Sequence, residues 1–101
     1  MGVDVQLLTV DGTKLDEVLD PNHALAKILP TGDSAFHLLQ NVDPYCDSIF
    51  NPTAMDQMVE ELDVLRQKAL AGEQKEILLR VRALAARCKD GPDLLLRFIG
   101  D

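Results

Sequence analysis

Aromatic side chains are scarce in this sequence, which has no tryptophan, one tyrosine and three phenylalanines among its 101 residues. Its core must therefore be built from leucine, valine, isoleucine, alanine and methionine, a set that suits helices. Apolar residues still make up 47% of the chain and charged residues 27%, which is typical of a globular protein and not of a disordered tail. The length is that of one domain, so we predict a single domain over residues 1–101.

Cysteine and histidine are also rare, with two residues of each. Cys46 and Cys88 form no C-x-x-C pair and no disulfide framework, and His23 and His37 fit no zinc-binding spacing. Glycine-rich phosphate-binding motifs are missing from the sequence as well. We therefore predict no metal, no cofactor and no catalytic motif. We expect Cys88 in the core, His37 partly buried and His23 exposed at the start of a helix.

Long apolar runs are absent, and residues 94–96 are among the longest. That length is far below what a membrane-spanning helix needs, and residues 1–4 lack the basic and apolar regions of a signal peptide. We expect a cytoplasmic protein that keeps its thiols reduced and does not associate with a membrane.

Positive charge is in deficit, since ten basic side chains face seventeen acidic ones and the net charge is −7. Residues 1–52 hold eight acidic side chains against two basic ones, a net charge of −6, whereas residues 53–101 hold nine against eight. This excess of negative charge repels phosphate backbones and disfavours the binding of nucleic acid, but it favours a basic protein partner. The alternative is that the acidic side chains serve solubility alone.

Hydrophobic periodicity predicts the secondary structure. Alternation over residues 3–10, closed by the Asp11-Gly12 turn, predicts a strand, and residues 94–99 predict a buried second strand. Between residues 14 and 42 the helical spacing of Leu15, Val18 and Leu19 suggests a helix ending near residue 20. Two more short helices are expected, one capped by Asn22 and carrying Leu25, Ile28 and Leu29, the other starting at Asp33 or Ser34 and carrying Phe36, Leu39 and Val42.

Residues 53–89 predict a helical hairpin, broken at Gly72 and ended by Asp90-Gly91-Pro92. One apolar face of the first helix carries Met55, Met58, Val59, Leu62, Leu65 and Ala69, and one of the second carries Ile77, Leu78, Val81, Leu84, Ala85 and Cys88. The basic side chains of the second helix are expected to pair with acids of the hairpin, the alternative being a binding face. The predicted fold class is α+β, mostly helical, with the hairpin and a small sheet pairing the N-terminal and C-terminal strands.

Residues 41–53 are rich in turn formers and predict the longest irregular segment, a common place for function. We predict a partner-binding site there, formed by Asp43, Tyr45, Asp47 and Asn51. The alternative is an enzyme or ligand-binding site using His37, Cys46 and Asp43 or Asp47, because a nucleophilic cysteine needs a nearby base, which His37 could supply.

A homodimer through the Met55 and Met58 face is a further possibility, because methionine-rich faces adapt to partners. Packing of the same face on the second helix of the hairpin is the alternative, and it makes the chain a monomer.

Three segments carry a resemblance: residues 50–65 (FNPTAMDQMVEELDVL), 84–88 (LAARC) and 94–101 (LLLRFIGD). In these, the chain resembles small uncharacterised bacterial proteins, some of which are similar to toxin-immunity proteins. The resemblance covers about half of the chain and implies a small, acidic, single-domain bacterial protein, with no functional residue carried over. Together with the charge and the missing catalytic set, it leads us to expect a non-enzymatic protein-binding module, either an immunity-type inhibitor or a small adaptor.

Overall fold

Strands and helices are interleaved along the chain in the computed structural model, which describes residues 2–43, 45–68 and 72–100. The strands are β1 (Asp4–Thr9), β2 (Lys14–Val18), β3 (Ser48–Phe50) and β4 (Leu94–Ile99). The α-helices are α1 (Ala24–Ile28), α2 (Met55–Lys68) and α3 (Gly72–Lys89), and single 3₁₀ turns lie at Leu39–Asn41 and Pro52–Ala54. The predicted α+β class is confirmed.

The four strands form one antiparallel sheet in the order β2-β1-β4-β3. The two strands predicted near the chain ends are its central pair, with Val5 opposite Phe98 and Leu7 opposite Leu96. These four side chains are fully buried in the main hydrophobic core together with the apolar faces of α2 and α3. Since side chains alternate along a strand, the neighbouring residues lie on the opposite face of the sheet.

The helix predicted around Leu15, Val18 and Leu19 is wrong, because this segment is strand β2. The Asp11-Gly12 turn folds the chain back on β1, and Gly12 takes a φ of 94°, which favours glycine. Hydrogen bonding, first of all from the Thr9 side chain, holds the pKa of Asp11 below its ordinary value. Backbone pairing with β1 therefore overrides the helical spacing, and of the three predicted apolar positions only Val18 is buried.

The prediction for residues 22–42 is only partly correct. Helix α1 exists, but His23 occupies its N-cap position instead of Asn22 and is half-buried instead of exposed, with a φ of 60°. The helix predicted from Asp33 or Ser34 is wrong: turns follow one another there, and the one short helical turn is Leu39–Asn41. In one of these turns the Asp33 carboxylate accepts a hydrogen bond from the N–H of Ala35 at 3.0 Å.

The helical hairpin is confirmed, as α2 and α3 pack against each other. Nearly all of its predicted apolar positions lie in the core or against it, and Ala69 falls outside the described residues. Cys88 is fully buried as predicted, and desolvation raises the pKa of its thiol. Met55 and Met58 are fully buried inside the fold, so their face is occupied by intramolecular packing.

Acids of the hairpin pair with Arg80, Arg82 and Lys89 of α3, as expected, whereas Arg87 pairs with an acid outside the hairpin. Arg82 Nε lies 2.8 Å from Asp63 Oδ1 and Lys89 Nζ lies 2.6 Å from Asp56 Oδ1, both across the hairpin. A third pair joins α3 to the sheet, with Arg87 Nη1 2.6 Å from Asp16 Oδ2 on β2. Hydrogen bonding to Asp56 is the main cause that raises the pKa of Lys89.

Candidate functional site

The predicted partner-binding residues surround strand β3, which lies at one edge of the sheet. We call residues 45–50 the β3 edge. Two large apolar side chains protrude from it, Tyr45 with 72% and Ile49 with 57% of its surface exposed. The segment was predicted to be irregular throughout, and that prediction is wrong for Ser48–Phe50. Ile49 was not among the predicted site residues, although isoleucine and phenylalanine at positions 49 and 50 favour a strand.

Asp43 is half-buried and shapes the turn that leads into the β3 edge. Its Oδ1 atom accepts a hydrogen bond from the N–H of Tyr45 at 2.8 Å, and its carbonyl oxygen accepts one from the N–H of Cys46 at 3.3 Å. The backbone of Asp43 and Cys46 lies directly against Gly100, the residue that follows β4. A Cβ atom at Gly100 would collide with both. Asp43 therefore fixes the position from which the Tyr45 side chain extends.

Asp47 is anchored to the sheet by Arg97 on β4. The Oδ2 atom of Asp47 accepts hydrogen bonds from Arg97 Nε at 3.1 Å and from Arg97 Nη2. Both side chains are only partly exposed, so the carboxylate is held in one place beside Ile49. The Ile49 side chain shares the sheet face of Arg97, because these two residues are directly opposite each other in the β3–β4 ladder.

Asn51 has a structural task at the start of the Pro52–Ala54 turn. Its Oδ1 atom accepts hydrogen bonds from the N–H of Ala54 at 3.2 Å and from the Thr53 hydroxyl at 2.6 Å, so it caps the turn that leads into α2. It also lines a surface groove of about 440 Å³ with Pro52, Thr53, Lys89 and Pro92. Of the four predicted site residues, Asp43, Tyr45 and Asp47 belong to one surface, and Asn51 marks its end.

The alternative site requires the side chains of His37 and Cys46 to meet. In the structure both side chains are exposed. The expected partial burial of His37 is wrong, because the preceding residue, Phe36, takes the buried position. Among the described residues no hydrogen bond joins the imidazole of His37 to the thiol of Cys46. The backbone of His37 serves a turn instead, accepting a hydrogen bond from Asn41 Nδ2 at 3.1 Å.

Two buried carboxylates, Asp20 and Glu61, were not predicted as special positions. Asp20 accepts hydrogen bonds from the N–H groups of Val3, Leu25 and Ala26, each at 3.0 Å. Because these are backbone donors of the chain itself, Asp20 ties α1 to the segment entering β1. Glu61 does the same between α2 and the Leu39–Asn41 turn. Both act as fixed acceptors inside the fold and not as groups presented to a ligand.

The described part of the chain holds no group of three or more histidine, cysteine, aspartate or glutamate side chains arranged to bind a metal ion. Within the same residues, none of the helices has the length and apolar character needed to cross a membrane. Comparisons with protein-family models, with curated proteins and with solved structures find no match for this chain.

Proposed function

We propose that this chain is a non-enzymatic protein-binding module that binds a basic protein through the β3 edge. The observation that carries the proposal is the exposure of Tyr45 and Ile49 next to the carboxylates of Asp43 and Asp47. Tyrosine is enriched in protein interfaces, where its ring supplies contact area and its hydroxyl a hydrogen bond. Positioning of the surrounding backbone by Asp43 and Arg97 reduces the ordering cost of binding.

Charge supports a basic partner. The chain has a net charge of −7, and the carboxylates of Asp43 and Asp47 lie at or beside the β3 edge, so the protein attracts cationic surfaces and accelerates their association. An immunity-type inhibitor that covers a basic protein and an adaptor that recruits one both need such a surface. We propose either role, an immunity-type inhibitor or a small adaptor, acting in the cytoplasm of a bacterium.

The test is capture of partners from the native lysate with tagged protein, quantified by mass spectrometry. Tyr45→Ala and Ile49→Ser are compared with the wild type, and Leu79→Ser is the matched control, since Leu79 is a 48% exposed apolar residue on α3. We expect one stoichiometric basic protein that both β3-edge variants lose by at least tenfold and that the Leu79 variant keeps. Equal recovery with all three variants contradicts the proposal.

A further inference from the structure

The backbone N–H and C=O groups of the β3 edge have directions that follow from one observed hydrogen bond. The N–H of Gly100 donates to the carbonyl oxygen of Cys46 at 3.1 Å, and this pair continues the register in which Ser48 is opposite Phe98. In an antiparallel ladder, hydrogen-bonded and non-hydrogen-bonded pairs alternate. The backbone groups of Ser48 therefore point towards β4.

The same alternation directs the N–H and C=O groups of Asp47 and Ile49 away from the sheet. In the part of the chain that the structure describes, no strand lies beyond β3. Among the described residues, no hydrogen bond outside the sheet uses the N–H or the C=O group of either residue. Two donors and two acceptors, one of each in β3 and one of each directly before it, are therefore open to a partner.

The opposite edge of the sheet is protected. The β1–β2 ladder has an irregularity that leaves Leu15 out of register, and charged side chains line β2. Arg87 on α3 also pairs with Asp16 there. Bulges and charges of this kind prevent edge-to-edge pairing, whereas the β3 edge presents Ile49 and Tyr45.

We propose that the β3 edge binds its partner by strand addition: one extended segment of a basic protein pairs with the backbone of Asp47 and Ile49. The inference rests on the proposed function and adds the mode of binding to it. Backbone hydrogen bonds then supply affinity, and side chains at alternate positions of the segment supply specificity.

The chemistry of the segment follows from the two side chains it meets. Asp47 directly precedes β3, and the hydrogen bond between Gly100 and Cys46 continues the register past it, which puts Asp47 on the same face as Ile49, two residues away. Both contacts from Arg97 go to Oδ2 of Asp47, and within the described residues Oδ1 accepts no hydrogen bond. A lysine or arginine opposite Asp47 and an aliphatic residue two positions away, opposite Ile49, complement this pair.

A second copy of the chain is a poorer occupant than a basic segment. Each copy carries a net charge of −7, and repulsion between two molecules of the same charge opposes their association. Pairing of two β3 edges therefore has to overcome repulsion, whereas a cationic segment is attracted to the same surface.

The test uses a displayed library of eight-residue segments selected for binding to the full chain. We expect enriched segments to carry a basic residue two positions from an aliphatic one and to bind Ile49→Val as they bind the wild type. Ile49→Pro removes the outward N–H together with the Ile49 side chain, so its control is Ile49→Ser, which removes the side chain and keeps the N–H. We expect Ile49→Pro to bind the segments at least tenfold more weakly than Ile49→Ser does. Equal affinities of the folded Ile49→Pro and Ile49→Ser chains overturn strand addition, and so does a library without any binder.

Amide hydrogen exchange gives a reading that does not depend on a variant. In the free protein we expect the amides of Asp47 and Ile49 to exchange much faster than that of Ser48, and a selected segment to slow both at least tenfold. Unchanged exchange at these two amides with the segment bound contradicts the inference. A dimer at micromolar concentration that Ile49→Pro dissociates would assign the edge to a second copy instead.

The two proposals fail separately. If Tyr45→Ala and Ile49→Ser lose the captured partner and Ile49→Pro loses no more of it than Ile49→Ser does, the chain binds protein at this surface without strand addition. If none of the three variants changes capture, both the surface and the mode are wrong.

Discussion

The carboxylate of Glu61 on α2 accepts a hydrogen bond from the N–H of Leu39 at 2.9 Å. It also accepts two contacts from the N–H of Leu38, at 3.0 and 3.1 Å, and one from Gln57 Nε2 at 2.8 Å. Residues 38 and 39 begin the 3₁₀ turn from which the chain continues to Tyr45 and the β3 edge. One buried side chain of the hairpin thus fixes the start of the segment that carries the proposed binding surface.

Glu61→Ala is expected to lower the free energy of unfolding by about 3 kcal/mol, because it leaves one buried and one partly buried N–H group without their charged acceptor. Glu61→Gln keeps one acceptor oxygen and should cost less. Urea denaturation gives both values, and Glu60→Ala, at the exposed neighbouring position, is the control. A Glu61→Ala protein as stable as the Glu60→Ala protein would show that water satisfies these donors.

Asp20→Ala is expected to cost a similar amount, about 3 kcal/mol, since three backbone donors lose their acceptor. The change should also release α1 locally, so the amides of Leu25 and Ala26 should exchange faster than those of the hairpin. Asp33→Ala, which removes one exposed acceptor in a turn, is the comparison for denaturation. Equal midpoints for the two variants would refute the role assigned to Asp20.

Hydrophobic periodicity was enough to predict the helices and strands that have a long, continuous apolar face. The hairpin and the two terminal strands are of this kind, because each has a continuous face that only one packing arrangement buries. Strand β2 was missed because Leu15, Val18 and Leu19 carry a helical spacing by chance, and pairing with β1 decides the local structure.

The residues of the proposed surface could be named from the sequence only in part, for a related reason. Composition pointed to Asp43, Tyr45 and Asp47, because loop residues can be recognised one at a time. Ile49 becomes a candidate only through the register of β3 against β4, which depends on residues about 50 positions away. The burial of Asp20 and Glu61 is likewise decided by distant backbone donors that no local pattern reveals.

The ion pairs of the hairpin should contribute unequally. Arg82 and Asp63 are partly buried, whereas Arg80 and Glu76 are each 63% exposed. Double-mutant cycles are expected to give a coupling of about 0.8 kcal/mol for the first pair and about 0.3 kcal/mol for the second, both smaller in 1 M salt. An equal coupling for the two pairs would indicate that partial burial does not strengthen the cross-hairpin pair.

The two thiols should differ in reactivity towards an aromatic disulfide reagent. Cys46 is exposed, whereas Cys88 is fully buried and burial raises the pKa of its thiol. Because the thiolate is the reacting form, we expect one fast equivalent from the folded protein and a second only after unfolding in urea. Cys46→Ser should abolish the fast equivalent, and two fast equivalents in the wild type would show that the core opens readily around Cys88.

The same burial makes stability depend on pH in the alkaline range. In the unfolded chain the Cys88 thiol ionises above about pH 8.5, whereas in the folded chain its pKa is raised, so the unfolded state binds fewer protons there. The contribution is therefore complete below the unfolded pKa and is lost as the pH rises towards the folded pKa, with a slope of at most about 1.4 kcal/mol per pH unit. Urea denaturation at pH 8 and pH 10 should show a larger loss of unfolding free energy for the wild type than for Cys88→Ala.

Both proteins keep Lys89, whose raised pKa acts in the same direction, so its contribution cancels from the comparison. Parallel losses in the two proteins would mean that the folded state takes up the Cys88 thiolate without cost.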